Sequence, residues 1–223
     1  MGGGGPRYEA ADGRPTPEDL LLPPRKDRID AVIRGRTRTV TVVLDRLEDS
    51  FNMAAVLRTC EAMGLQEVHV IRNPDAPFAP NSKVTQGCDK WLDLHLHKDA
   101  KGCFERLKAR GYRVLASAIE PKATSLFELA FDHRVALVFG NERLGVSSEV
   151  LEHADGTFWI PMRGFVQSMN ISAAASAAVT RAISWRLERL GVEGDLSAEE
   201  QAELKQQFSY LSVKQRGRVY RNG

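Results

Sequence analysis

Short apolar runs alternate with amphipathic segments along most of the chain. Strands are predicted at five of these runs: 39–44, 67–71, 112–119, 134–140 and 156–162. Helices are predicted between and after them at 52–64, 99–110, 147–154 and 170–190. Strands that alternate with helices predict an α/β fold, with a mostly parallel sheet and helices on both faces.

The helix at 52–64 has recognisable ends. Asn52 can cap its first turn, and Gly64 ends it. For the helix at 147–154, Ser147 or Ser148 is the expected first residue.

The chain of 223 residues is 43% hydrophobic, which is enough for one substantial core. We predict a disordered tail at 1–16, a basic helical arm at 17–38, an α/β domain at 39–192 and a basic helix or tail at 193–223. No stretch approaches the roughly 20 apolar residues of a membrane span. The glycine-rich start resembles neither a signal peptide nor a myristoylation site, so a cytoplasmic protein is predicted.

Cysteine and histidine positions do not favour a metal site, although one pair of histidines could hold a metal. Cys60, Cys88 and Cys103 form no CxxC pair, and we expect three reduced thiols. His95 and His97 alternate as on one face of a strand. Without a third ligand nearby, an exposed strand edge is the preferred interpretation, and no metal is predicted.

The net charge of +2 conceals two basic segments, at 25–38 and 205–221. Either one alone is equally well explained as a solvated tail or a charged helix face, but together they favour nucleic acid. The predicted RNA-binding residues are Arg25, Lys26, Arg28, Arg34, Arg36, Arg38, Lys214, Arg216 and Arg218.

Three polar blocks stand at predicted strand or helix ends, where α/β sheets bind ligands. The chain lacks both the GxGxxG fingerprint and the Walker lysine loop. The first block, 52–59, contains Asn52 and Arg58. A guanidinium there suits a phosphate or a carboxylate, although a surface ion pair with Glu61 is an alternative.

The second block, 137–147, places polar residues between Gly140 and Gly145. These glycines allow a ligand to approach the backbone, although a well-capped turn explains them too. The third block, 160–170, clusters small polar residues before the long helix. Backbone NH groups at the start of that helix suit an anionic or polar part of a ligand. The alternative interpretation is a simple N-cap by Ser168 or Asn170.

In this order the blocks strongly resemble the three motifs of the SpoU/TrmH family of RNA ribose 2′-O-methyltransferases, in the SPOUT superfamily. The resemblance covers roughly residues 38–190. The resemblance implies a deep C-terminal trefoil knot that binds S-adenosylmethionine, and a homodimer. Met169, Ala54 and Leu144 depart conservatively from the usual motif residues.

The flanks resemble the tRNA branch, which methylates a guanosine in the D-loop (position 18). Ribosomal RNA or the tRNA anticodon as substrate, or a non-catalytic RNA-binding protein on the same scaffold, remain alternatives. The resemblance implies that Arg58 is the central catalytic residue, accompanied by Asn52, Glu142, Ser168 and Asn170. It also implies a cofactor pocket lined by backbone around Ser117, Gly140, Ile160, Met162 and Met169.

Helix 170–190 is the predicted dimer contact. One face of this helix carries small residues, which suits tight helix packing. Trp185 and Leu187 are large side chains that can contribute to a dimer interface. The small residues in question are Ala173, Ala174, Ala175, Ala177 and Ala178. The alternative is that this face packs on the sheet of its own chain.

Overall fold

The computed structural model describes residues 15–73 and 78–219, with side chains as far as residue 213. Two compact units are present: residues 37–193, and the described parts of 1–36 together with 194–223. The strands are β1 (Val40–Asp45), β2 (Glu67–Ile71), β3 (Asp93–His97), β4 (Arg113–Ser117), β5 (Thr124–Ser125), β6 (Val135–Phe139) and β7 (Gly156–Trp159). The helices are α1 (Pro23–Arg34), α2 (Ser50–Ala62), α3 (Ser82–Thr85), α4 (Ala100–Ala109), α5 (Ser148–His153), α6 (Ile171–Leu190) and α7 (Ala198–Val219).

All seven strands belong to one sheet in the order β3-β2-β1-β6-β4-β7-β5. Every ladder between them is parallel, which confirms the prediction from the sequence. The central strands β1 and β6 are buried at every position, because each lies between helices on both faces.

Successive residues of β1 and β6 point into two separate cores. Val42 and Leu137 join the cluster that includes α2 and α6, whereas Val43 and Val138 join the cluster that includes α4. Helices therefore cover both faces, as predicted.

The start of α2 differs from the prediction. Asp49 is the N-cap, and its Oδ1 accepts hydrogen bonds from the backbone NH of Phe51 and Asn52, at 2.7 and 3.2 Å. Asn52 lies inside the first turn, so its side chain is free for another role. Gly64 follows the helix in the left-handed conformation, with φ of 83°. Ser147 caps α5, one of the two serines expected there.

The small face of α6 packs inside the domain. Ala175, Ala178 and Ala182 are fully buried, and Ser176 Oγ lies 2.8 Å from Thr59 Oγ1 of α2. Trp185 is half-buried, with its ring edge-on to Phe131. At Ala175 and Ala178 this face therefore follows the alternative interpretation, packing within one chain, whereas Ala173 is exposed.

The second unit is built from α1 and α7. Ile29 and Ile33 of α1 are buried, as are Leu204 and Phe208 of α7. Polar contacts flank this pair, including Lys205 Nζ, which lies 3.0 Å from an Asp30 carboxylate oxygen. None of the helices described is both long and apolar enough to span a membrane.

His95 and His97 lie on the edge strand β3, as predicted, but the expected exposure is wrong for His97, which is 7% exposed. The parallel register places His69 of β2 directly opposite His95. His69 Nδ1 lies 2.9 Å from His97 Nε2. The sequence interpretation missed this third histidine, because it lies 28 residues before His97.

Candidate functional site

Strands β6, β4 and β7 are neighbours, so their carboxyl ends open onto one edge of the sheet. Ser117 ends β4, Gly140 follows β6, and Ile160 follows β7. The structure thus brings three of the five predicted cofactor residues to adjacent strand ends. Met162 and Met169 lie in the loop that continues from Ile160, half-buried and exposed respectively.

A hydrogen-bonded chain of side chains joins the three motif blocks. Asn52 Nδ2 donates to Glu142 Oε1 at 2.9 Å, and Asn170 Nδ2 donates to Asn52 Oδ1 at 3.1 Å. Asn170 also caps α6, accepting at Oδ1 from the Ser172 backbone NH at 2.9 Å. The hydrogen bond between Glu142 and Asn52 connects the loop after β6 to α2. Glu142 therefore anchors the loop after β6.

The loop after β6 is folded tightly on itself. Asn141 and Gly145 exchange two backbone hydrogen bonds of 2.8 Å, and Gly145 has φ of 71°. A Cβ atom on Gly140 would lie 2.2 Å from the Gly145 backbone. Gly140 is therefore required because the Gly145 backbone lies so close to it. The sequence had suggested instead that a ligand approaches Gly140.

Two buried polar residues hold this loop in place: Asn141, which belongs to the second block, and Asp45, which the sequence interpretation missed. Asp45 ends β1 and accepts a 2.7 Å hydrogen bond from the Ser147 backbone NH. Asn141 Nδ2 donates to the carbonyl of Arg46, a residue with a left-handed φ of 53°. An acid directly after a buried apolar run was the available signal for Asp45.

Arg58 stands apart from the side-chain network. It is exposed on α2, and its Nη1 donates to the Val84 carbonyl at 3.1 Å. Ser168 is also exposed and takes no part in the hydrogen bonds between Asn52, Glu142 and Asn170. The structure therefore brings together three of the five predicted catalytic residues and leaves Arg58 and Ser168 outside their network.

The loop between β7 and α6 is exposed from residue 163 to 170. Within the described part of the chain, residues 161–169 make no backbone–backbone hydrogen bond. Phe165 and Val166 project their apolar side chains into solvent. This segment offers free backbone donors and acceptors together with uncovered apolar surface.

The predicted RNA-binding residues divide into two groups. Arg28 and Arg34 are exposed on α1, whereas Arg36 is 1% exposed and stacks over the Phe208 ring. Arg38 pairs with the Glu67 carboxylate and, at 2.8 Å, with Asp93.

Burial of Arg36 and the ion pairs of Arg38 argue against a phosphate contact for either guanidinium group, so neither residue is included in the RNA surface proposed below. Arg25 donates to Ser212 Oγ at 3.1 Å and, like Lys26, is half-buried. Lys214, Arg216 and Arg218 lie outside the residues whose side chains the structure describes.

Comparison with known proteins places these features in one family. Residues 39–180 match the family model described as "SpoU rRNA Methylase family". A tRNA (guanosine(18)-2′-O)-methyltransferase of Borreliella burgdorferi is 37% identical over 190 residues, which is 85% of this chain and 86% of that protein. The enzyme of the same name from Thermus thermophilus is 38% identical over 164 residues, 74% of this chain and 84% of that protein.

The fold agrees with a solved relative. The crystal structure of the Aquifex aeolicus TrmH/SpoU tRNA modifying enzyme superimposes with a TM-score of 0.78 at 29% identity, covering 85% of this chain and 97% of that one. The family model spans the parallel sheet and all three motif blocks that the side-chain network joins. This chain therefore belongs to the SpoU methylase family.

Proposed function

We propose that this protein transfers a methyl group from S-adenosylmethionine to the 2′-hydroxyl of a guanosine in tRNA, at position 18. The observation that best supports this proposal is the hydrogen-bonded network of Asn52, Glu142 and Asn170, which joins the three motif blocks at the carboxyl edge of the sheet. The relatives that match most of the chain, named for this reaction, support the substrate and the position.

The loops at this edge fit S-adenosylmethionine. Free backbone groups at 161–169 suit the polar groups of an adenosine and an amino acid, and the exposed apolar side chains suit its ring. We assign binding to backbone around Ser117, Gly140 and Ile160, continued by Met162 and Met169. The bound cofactor supplies a methyl group on a positively charged sulfur, ready for in-line displacement.

Arg58 has the role of holding the RNA. An ordinary guanidinium stays protonated, so it does not serve as the base. In the proposed mechanism Arg58 binds a phosphate next to the reactive ribose. An oxygen of that phosphate takes the proton of the 2′-hydroxyl, while the ribose 2′-oxygen receives the methyl group. The exposure of Arg58 supports this role, because an incoming phosphate can reach it. Asn52, Asn170 and Ser168 position the ribose, and Glu142 keeps Asn52 in place.

The trefoil knot is part of the proposal. After β6 the chain passes over β4 to reach β7, and then returns to α6, which packs against α2. This path supports a chain threaded at the cofactor loops. An experimental structure whose traced backbone closes without a knot would contradict it.

We also propose a homodimer. Leu144, Phe165 and Val166 form uncovered apolar surface near the site, and Leu187 is exposed on α6. Such patches mark interaction surfaces. Because Ala175 and Ala178 are buried within the chain, the α6 contribution rests on its remaining exposed side. Light scattering at micromolar concentration tests this, and a fully active monomer would disprove it.

The proposed RNA surface includes Arg28 and Arg34 of α1, and the basic end of the chain beyond residue 213. With tRNA as the substrate, we place the enzyme in the cytoplasm.

The decisive experiment is incubation with total tRNA and labelled S-adenosylmethionine, followed by nuclease digestion and mass mapping. We expect 2′-O-methylguanosine at position 18. Methylation in the anticodon, or only of added ribosomal RNA, would overturn the proposed substrate. Cofactor binding without transfer to any RNA would overturn the proposed activity.

A further inference from the structure

Three metal-ligating atoms converge between the edge strand β3 and its neighbour β2. Glu67 and His69 alternate on β2, and His95 faces His69 across the parallel ladder. One carboxylate oxygen and one ring nitrogen from each histidine lie within 4.8 Å of one another. His69 and His95 also stack, with ring centroids 4.7 Å apart.

These atoms are buried and unsatisfied. Among the residues described, Glu67 Oε2, His69 Nε2 and His95 Nε2 have no hydrogen-bond partner. Glu67 is 1% exposed and His69 is 3% exposed. Buried polar groups in native proteins are nearly always paired. Glu67 Oε2 and His69 Nε2 approach each other only at 3.8 Å, so three ligand atoms without a hydrogen bond at one point require an explanation.

We propose that Glu67, His69 and His95 bind one Zn²⁺ ion. One carboxylate and two imidazoles are a ligand set that zinc accepts, with the fourth tetrahedral position open to water. His95 is half-buried, which provides a path for the ion. The ion would fasten the edge strand β3 to β2. This site goes beyond the proposed function, since it shares no residue with the methyl-transfer network.

The neighbouring groups orient the ligands. When His69 donates from Nδ1 to His97 Nε2, 2.9 Å away, its Nε2 lone pair is left for the metal. A hydrogen bond from the other ring nitrogen fixes the tautomer and orientation of a ligating histidine. Glu67 Oε1 accepts from Arg110 at 2.8 Å and from Arg38. The free Oε2 faces His69 Nε2 at 3.8 Å.

A second set of groups, His69, His97 and Cys103, lies on the other side of His69. A metal there would have to replace the His69–His97 hydrogen bond. The geometry therefore favours the site with Glu67.

The test is zinc titration of the full-length protein after removal of metals with a chelator. Competition with a chromophoric chelator gives stoichiometry and Kd, and thermal unfolding gives the shift in Tm. We expect one Zn²⁺ per chain and a rise in Tm of about 5–10 °C at hundredfold excess over Kd. Absence of saturable binding would overturn the proposal.

Four variants locate the ion. His95→Asn should weaken binding at least about a hundredfold, and His97→Gln by about 10–100-fold through loss of the supporting hydrogen bond. His133→Asn removes a half-buried histidine that lies outside the cluster and should leave Kd unchanged, as should Cys103→Ala. The site would be refuted if Cys103→Ala abolished zinc binding. It would also be refuted if His133→Asn weakened zinc binding as much as His95→Asn does.

Circular dichroism and Tm of the metal-free variants check that each one folds. If His95→Asn does not fold, the ordering of His97→Gln against Cys103→Ala decides the question. Methyl transfer measured on His95→Asn should match the parent protein. The zinc site and the proposed activity can therefore fail independently.

Discussion

Asn52 and Glu142 are 90 positions apart in the chain, yet Asn52 Nδ2 donates to Glu142 Oε1 at 2.9 Å. The same asparagine accepts from Asn170 Nδ2 at 3.1 Å. Both halves of its amide are therefore used, which fixes the orientation of Asn52 and couples the start of α2 to the loops after β6 and β7.

Replacing Asn52 by Asp places a carboxylate against Glu142 and removes the donor. We expect a fall in methyl transfer of at least about tenfold and a loss of stability of about 1–3 kcal/mol, because Glu142 loses its partner and gains a like charge. Tm and steady-state kinetics measure both effects.

The double variant Asn52→Asp with Glu142→Gln supplies the control, because it restores a donor–acceptor pair with the roles exchanged. It should recover part of the stability in a double-mutant cycle. Strictly additive losses would show that the pair is not coupled.

Arg58→Ala should lower methyl transfer by well over a hundredfold, because the RNA phosphate loses its guanidinium. Cofactor affinity, measured by calorimetry, should change little, since Arg58 lies outside the loops assigned to the cofactor. Tm should stay within about 2 °C, because the side chain is exposed and bonds only a carbonyl among its described hydrogen bonds. Near-normal turnover would rule out the catalytic assignment.

Neutralising Arg28 and Arg34 together to Gln should weaken tRNA binding and reduce the salt slope of log K by about 2, because each exposed guanidinium releases counterions. Arg38→Gln is the matched control. It should lower Tm by removing one of the two arginines that pair with Glu67 and the ion pair of Asp93, but leave the salt slope unchanged. An unchanged slope in the double variant would exclude α1 from the RNA surface.

Gly140→Ala should disrupt the loop after β6, because the added Cβ would lie 2.2 Å from the Gly145 backbone. Overpacking of this kind costs about 1–3 kcal/mol, so Tm should fall and cofactor affinity with it. Gly164→Ala provides the comparison for Tm, since its Cβ would meet nothing within 4 Å. Equal Tm values for the two variants would contradict the packing argument.

Thiol labelling should separate the three cysteines, all of which are free. Burial raises the pKa of Cys60 and of Cys103 to about 12, so neither should react in the native protein near pH 8. Half-buried Cys88 should react slowly, giving one labelled thiol before unfolding and three after it. Rapid native labelling of Cys60 would contradict its burial.

The order of strands and helices was predictable because it depends on local properties. Continuous apolar runs such as β1 and β6 are hydrophobic enough to be buried on both faces, which makes parallel strands covered by helices the favoured arrangement. Even so, one helix end was wrong, because Asp49 and Asn52 are both good caps and the sequence alone does not rank them. The motif residues were also found, since each block is contiguous in sequence.

Contacts between distant segments were decided only by the tertiary structure. The pairing of Asn52 with Glu142 depends on how α2 and β6 are placed, and the meeting of His69 with His95 depends on the register of β2 and β3. From the sequence, Arg36 and Arg38 were predicted to be basic surface residues. In the fold Arg36 is buried and Arg38 forms an ion pair with Asp93. Hydrophobic pattern is a property of neighbouring residues, whereas the environment of a charge or an imidazole is set by whatever the fold places beside it.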